Sequence, residues 1–151
     1  MLMSDINFYH LQRSTLETVL PKLLEKTMEA SKRALVLTNS PQKAEHLAAH
    51  LWTYDPTSWM PHGTDKDGSP EDQPIWLSDV DENPNGASFL FLTGGAQSSA
   101  LDDYERCFVL FDGNNENSLG EARQYWKTCK ESGHDLAYWQ QTDRGGWDKK
   151  Q

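Results

Sequence analysis

The feature that most constrains the fold is a buried-strand pattern at residues 33–38 that leads at once into a strong helix start. Its sequence, RALVLT, is apolar through the middle, which is typical of a strand covered on both faces. Ser40 supplies an N-cap and Pro41 stands at the first helical position, so a helix is predicted to run to about Trp52. This order favours a crossover connection and a parallel sheet.

The same alternation of patterns extends along the rest of the chain. Further strands are predicted at residues 6–10, 58–62, 75–78, 88–93, 106–111 and 135–140. Segments rich in Gly, Pro and acidic residues predict loops at 63–74 and 79–86. A long helix is predicted at about 116–132, with Gly133 as its C-terminal stop.

The first helix of the chain, at about residues 16–28, contains a proline. Ser14 is the predicted N-cap and Glu17 its capping-box partner. An interior proline loses a backbone hydrogen bond and clashes with the preceding turn. Either the helix kinks at Pro21, or its regular part begins near that residue.

The predicted architecture is α/β, with a mostly parallel central sheet and helices on both faces. The 151 residues contain no internal repeat and no convincing boundary, so one domain is expected over 1–151, with 148–151 as a frayed tail. The formal net charge of −9 argues against nucleic acid as the main partner, because phosphate neutralisation needs a broad basic surface. Two cysteines and the absence of a leader or an apolar span predict a cytoplasmic protein with reduced thiols.

The C-terminal helix carries the most suggestive chemistry. Arg123, Lys127 and Lys130, at i, i+4 and i+7, form a basic stripe beside Trp126. Ala122, Trp126 and Cys129 are predicted to form the neighbouring apolar stripe. A cationic rim next to an aromatic hollow suits an acidic ligand with an apolar end, although a solvated amphipathic helix has the same pattern.

Catalytic and cofactor signatures are absent from the sequence. Gly94-Gly95 follows a predicted strand, but GGAQSSA matches neither G-x-G-x-x-G nor a Walker A loop, so a tight turn is expected. His46 and His50 are four apart on one predicted helix, without a third ligand at a recognisable spacing. We therefore expect no cofactor, no metal and no enzymatic activity.

A second aromatic feature is the segment LWTYDPTSWMPHG. It places Trp52 and Trp59 around a turn, followed by Pro61 and His62. Both tryptophans could pack in the core, because tryptophan is highly buried on average. Alternatively, one or both form an apolar patch for a protein partner.

The order and spacing of several segments resemble the chi subunit of bacterial DNA polymerase III holoenzyme over nearly the whole chain. The matching segments are INFYHL, RALVLTNSPQKAEHLAAHLW, SWMPHG and, above all, ARQYWKTCKESGHDLAYWQ. The resemblance implies a Rossmann-like fold and a non-catalytic accessory subunit of the clamp-loader complex. It also implies two partners: the acidic C-terminal tail of single-stranded-DNA-binding protein, which ends in an apolar residue, and a psi-type clamp-loader subunit.

The resemblance also assigns roles to residues. The family's tail-binding helix has a basic residue followed by an aromatic three positions on, here Arg123 and Trp126, with Lys127 after them. The family often has another lysine one turn earlier, where this chain has Gly120-Glu121, so the pocket is either weaker or uses Lys127 and Lys130 instead. Trp52 and Trp59, with the adjoining Pro61 and His62, match positions associated with psi binding.

Two functions from other classes are alternatives. A nucleotide-dependent enzyme could use the same type of sheet, but the missing phosphate loop opposes it. A direct binder of single-stranded DNA could use the tryptophans as stacking platforms, but the charge of −9 opposes it.

Overall fold

The computed structural model describes residues 5–53, 61–144 and 146–150. Over these residues the chain forms one seven-stranded sheet, three α-helices and two single-turn 3-10 segments at 70–72 and 101–103. The main elements are β1 (Asp5–Leu11), α1 (Leu16–Glu29), β2 (Ala34–Leu37), α2 (Pro41–Thr53), β3 (Ile75–Ser78), β4 (Phe89–Thr93), β5 (Arg106–Asp112), α3 (Glu116–Glu131), β6 (Asp135–Gln141) and β7 (Trp147–Lys149).

The sheet has the order β3-β2-β4-β5-β1-β6-β7. The first six strands pair in parallel, and β7 alone runs antiparallel to its neighbour β6. In the centre, Ile6 of β1 aligns with Cys107 of β5 on one side and Leu136 of β6 on the other. The prediction of a mostly parallel α/β sheet is confirmed.

Helices cover both faces, because successive side chains of each central strand enter different cores. One core contains Leu20 of α1 and Leu47 of α2, packed with Val36 and other residues of the sheet. The other core contains the buried residues of α3, packed with Leu35 and its neighbours on the opposite face. The result is three layers, with α1 and α2 on one side and α3 on the other.

Helix α1 accommodates its interior proline through a contact with α2. The helix begins at Leu16, so Pro21 lies within its regular part rather than at its start. Proline has no N–H to donate to the carbonyl four residues earlier, which here is that of Glu17. His50 Nε2 of α2 donates to that Glu17 oxygen at 2.7 Å. The hydrogen bond that the proline removes is therefore replaced by one between helices.

The helix starts confirm one predicted cap and correct another. Ser40 caps α2, since its Oγ accepts the backbone N–H of Lys43 at 3.2 Å. The predicted cap of α1, Ser14, is wrong: Thr15 holds the N-cap position and makes no side-chain cap hydrogen bond. The Ser14 hydroxyl instead accepts a hydrogen bond from Gln141 Nε2 at 2.9 Å, because β6 ends beside this loop.

Two further predictions about extended segments need correction. In the predicted strand at 58–62, residues 58–60 lie outside the described residues, and Pro61 and His62 belong to no strand. Gly63 instead makes an isolated parallel bridge to Trp76, at the edge of the sheet. The expected frayed tail from 148 does not hold for residues 148 and 149, which pair with β6 as part of β7.

Candidate functional site

Helix α3 presents the residues on which the proposed chemistry depends. Its start is fixed by Asn115, whose side chain accepts the backbone N–H of Ser118 at 3.0 Å. Its end is set by Gly133, which adopts a φ of 87° that side chains disfavour. Asparagine and glycine at these two positions explain why the predicted bounds were close to the observed ones.

The buried face of α3 consists of Ala122, Tyr125 and Cys129. Trp126 was predicted to belong to this stripe, but it is only half-buried, and Tyr125 takes the central position instead. The Tyr125 hydroxyl reaches the loop after β4, where it accepts the backbone N–H of Ser98 at 3.3 Å. Burial of the hydroxyl at a polar loop explains why an aromatic with a hydrogen-bonding end occupies the core.

Trp126 stands at the border between core and surface. Its ring meets Phe8 of β1 edge-on at a centroid distance of 5.2 Å, and Tyr138 of β6 at 5.7 Å. Both contacts are near-perpendicular, the arrangement that aromatic pairs prefer. The indole is thus held from two strands while part of it stays open to solvent.

The three cations of the predicted stripe, Arg123, Lys127 and Lys130, are exposed on α3. None of them has an ion-pair partner among the described residues. On a protein with a net charge of −9 this stripe is a local concentration of positive charge. Such a surface can receive a carboxylate without first breaking an internal salt bridge.

The sheet contributes two polar aromatic groups beside Arg123. The Tyr138 hydroxyl and His10 Nδ1 are hydrogen-bonded at 2.7 Å, between β6 and β1. Burial raises the pKa of Tyr138, and the positive charge of Arg123 opposes that rise. Burial lowers the pKa of His10, and Arg123 lowers it further. The guanidinium therefore lies close enough to act electrostatically on both rings.

The residues predicted for a second partner lie elsewhere on the molecule. Trp52, at the end of α2, is 54% exposed, and its ring packs on His62 at a centroid distance of 4.3 Å. His62 itself is buried, with Nε2 donating to the Ala48 carbonyl oxygen at 2.8 Å, and Pro61 is half-buried. Trp59 lies outside the described residues. Of the three that the structure describes, Trp52 presents an exposed aromatic ring.

A cavity of about 440 Å³ opens at the carboxyl ends of β4, β5 and β1. Gly94 and Gly95 form the predicted tight turn at its rim, both with positive φ. The Glu121 carboxylate lies over this turn, with Oε2 2.7 Å from where a Cβ of Gly95 would be. A carboxylate at this place repels phosphate, which agrees with the absence of a phosphate-loop motif. None of the four predicted tail-binding residues lines this cavity.

The histidine pair of α2 serves packing and surface contacts. His46 lies 3.5 Å from the Glu17 carboxylate, and His50 donates to the Glu17 backbone as described above. Within the described residues no group of three or more His, Cys, Asp or Glu side chains is placed to hold a metal ion. None of the helices in that part of the chain combines the length and apolarity needed to span a bilayer.

The sequence did not show that two residues beside the site, His10 and Tyr138, contact each other. His10 and Tyr138 are 128 positions apart and meet only because β1 and β6 are neighbours in the sheet. Their strand positions were predictable, and alternation places both on the α3 face, but the strand order was needed to bring them together.

Comparison with known proteins identifies relatives of this chain. A family model described as DNA polymerase III chi subunit, HolC, matches residues 3–137. A probable DNA polymerase III subunit chi from Rickettsia prowazekii (strain Madrid E) is 32% identical over 90 residues. That match covers 60% of this chain and 54% of the relative, so the matched segment spans about half the relative's length.

Proposed function

The chain belongs to the DNA polymerase III chi subunit family, and from this premise we propose that it is a non-catalytic adaptor. In this proposal α3 binds the acidic C-terminal tail of single-stranded-DNA-binding protein, and a separate surface binds a psi-type subunit of the clamp loader. The observation that carries the first part is the basic stripe of α3, whose three cations have no ion-pair partner among the described residues and flank a half-exposed tryptophan.

Each residue of the stripe has a distinct role in the proposed site. Arg123 holds the terminal carboxylate with two parallel N–H donors. Lys127 and Lys130 attract the acidic side chains that precede it, and this attraction weakens with salt because all three cations are exposed. The Trp126 ring supplies an apolar wall for the terminal side chain.

The expected affinity is modest. A few anchors on a flexible peptide give a dissociation constant on the order of micromolar, near −8 kcal/mol, because ordering the peptide offsets much of the contact energy. The net charge of −9 adds a long-range repulsion against an acidic peptide, which the local stripe must overcome.

For the psi-type partner, Trp52 is the proposed anchor. Its ring is 54% exposed and rests on the buried imidazole of His62, so it is held in place before a partner arrives. A rigid, exposed aromatic ring is a common centre of protein interfaces. The family resemblance associates Trp59 with the same partner, and Pro61 adjoins the His62 on which Trp52 packs.

The test is fluorescence anisotropy of a labelled peptide that copies the last residues of the binding protein. Arg123→Ala should weaken binding by roughly 10- to 100-fold, because a charge-assisted contact contributes about 1.5–3 kcal/mol. Lys22→Ala removes an exposed cation from α1, on the other face of the sheet, and should leave binding unchanged. Trp52→Ala should also bind the peptide normally, since α2 lies on that same opposite face.

Two results would contradict the proposal. Unchanged affinity in a folded Arg123→Ala protein would remove α3 as the tail site. If Arg123→Ala and Lys22→Ala weakened peptide binding equally, the loss of affinity would come from the change in net charge and not from a specific contact of Arg123.

A further inference from the structure

Beside the tail site proposed above, the Tyr138 ring forms an aromatic wall next to Trp126. The Tyr138 ring packs edge-on against Trp126 at 5.7 Å and against Phe111 at 6.0 Å. It is half-buried on the same sheet face that α3 covers. A ligand that contacts Trp126 from the side of the sheet therefore also approaches Tyr138.

His10 fixes the position of that wall. Its Nδ1 is hydrogen-bonded to the Tyr138 hydroxyl at 2.7 Å, and its ring lies 5.3 Å from that of Phe111. On its other side the imidazole lies against Gly113, where an added Cβ would overlap ring atoms Cδ2 and Nε2. Gly113 is thus required for the close approach. The imidazole is confined by β1, β5 and β6 at the carboxyl end of the sheet.

The charged and titratable groups around His10 come from three elements. Arg123 faces it from α3, Asp112 from the end of β5, and Tyr138 from β6. Burial and the positive charge of Arg123 lower the pKa of His10, and Asp112 partly offsets this. His10 is therefore mainly neutral at pH 7, and the nearby guanidinium is one reason.

We propose that His10 is a positioning residue of the tail site and that a peptide with a free terminal carboxylate binds more tightly when His10 is protonated. This inference rests on the proposed function, because it needs the carboxylate to lie at Arg123. A bound carboxylate neutralises the charge that repels a protonated imidazole and adds an attractive negative charge. Proton binding to His10 and peptide binding to Arg123 then favour each other reciprocally.

The direction of the pH dependence follows from this linkage. The pKa of His10 is higher in the complex than in the free protein, so binding takes up a proton between the two values. Affinity is constant above the pKa of the complex, rises as pH falls below it, and levels off below the pKa of the free protein. If the pKa of His10 is higher by one in the complex than in the free protein, the affinity changes about tenfold. For exposed charges we expect a change in affinity of about three- to tenfold.

Three of the other four histidines lie on the far side of the sheet, and His134 lies about one turn beyond Lys130, at the opposite end of the stripe from Arg123. His46 and His50 belong to α2, and His62 packs on α2, on the opposite face of the sheet. His134 follows the C-terminal end of α3, at the opposite edge of the sheet, where it faces Asp102 at 3.6 Å. A pH response of tail binding near neutrality that disappears on replacing His10 therefore identifies that residue.

The experiment measures the affinity of the labelled tail peptide from about pH 8 to about pH 5.5 at constant ionic strength. Wild type should bind about three- to tenfold more tightly at the acidic end. His10→Gln keeps a polar side chain that does not titrate, and its affinity should be independent of pH over this range. With the same peptide ending in a carboxamide, wild type should also lose the dependence, because the negative charge that stabilises protonated His10 is absent.

A second measurement uses the wild-type protein, so its result does not depend on whether the His10→Gln variant folds. The His10 ring signals in NMR should titrate with a higher midpoint in the peptide-saturated protein than in the free protein. Equal midpoints, or the same pH slope in wild type and His10→Gln, would overturn the inference. So would a slope that persists with the carboxamide peptide. Failure of wild type to bind the carboxylate peptide at any pH would instead refute the proposed function itself.

Discussion

Replacement of Gln141 tests how the carboxyl edge of the sheet is held together. Gln141 is 2% exposed at the end of β6, next to the loop between β1 and α1. Its Oε1 accepts the backbone N–H groups of Arg13 at 2.8 Å, Ser14 at 2.9 Å and Gln12 at 3.2 Å. Its Nε2 donates to the Ser14 hydroxyl at 2.9 Å. One side chain thus ties together the loop that starts α1.

Gln141→Ala should lower the free energy of unfolding by about 3 kcal/mol. This figure counts the contacts at 2.8 Å and 2.9 Å to Oε1 and the bond from Nε2, at about 1 kcal/mol net each. The contact from Gln12 at 3.2 Å is the longest of the set and adds least. For a chain of this size the corresponding fall in melting temperature is about 6–12 °C.

Denaturant unfolding followed by tryptophan fluorescence measures the effect. Gln141→Glu is the matched variant: a carboxylate still accepts the backbone N–H groups near the start of α1, and the Ser14 hydroxyl can donate to its second oxygen, while burial of its charge costs stability. We expect Gln141→Glu to lose less stability than Gln141→Ala. Gln140→Ala is the control, since its contact to Gln12 is long at 3.4 Å, and it should change stability by less than about 0.5 kcal/mol. Equal unfolding free energies for Gln141→Ala and Gln140→Ala would refute the reasoning.

Two further predictions concern the glycines near the site and the thiols. Gly113→Ala should destabilise the protein by about 1–3 kcal/mol, because the added Cβ would overlap the His10 ring. Gly120→Ala should stabilise it by about 0.5–1 kcal/mol, because Gly120 lies within α3 and its added Cβ would contact no other atom. In denaturant unfolding, the changes in unfolding free energy of these two variants should have opposite signs. Destabilisation by both substitutions would contradict the packing argument. Burial raises the pKa of Cys129 to about 11, and Cys107 is fully buried. At about pH 8 both thiols should therefore react with a thiol reagent at least about a hundredfold more slowly in the native protein than in the unfolded protein. Rapid labelling of the native protein would show that these thiols are accessible.

The elements of this fold were largely predictable because their signals are local. The buried strand ALVL of β2 and the Ser40-Pro41 start of α2 each depend on a few adjacent residues. The same holds for Asp135–Gln141, whose predicted bounds differ by one residue from those observed. Hydrophobic periodicity likewise placed Arg123, Lys127 and Lys130 together on one face of a helix.

Local signals failed where a distant group competes for the same residue. Ser14 has the composition of an N-cap, but its hydroxyl accepts from Gln141, and the helix begins after Thr15 without a side-chain cap. Trp126 has the spacing of a core residue, but the helix is oriented so that Tyr125, with Ala122 and Cys129, faces the sheet, and Trp126 lies at the edge of that core.

Local residue patterns were sufficient to predict the alternation of strands and helices and the basic stripe of α3, and that alternation in turn indicated a parallel sheet. The tertiary structure decided which partners that stripe acquires. His10 and Tyr138 meet across 128 positions because β1 lies between β5 and β6, an order that no local pattern encodes. Periodicity fixes the face on which a side chain lies, whereas the group it contacts depends on the packing of the whole sheet.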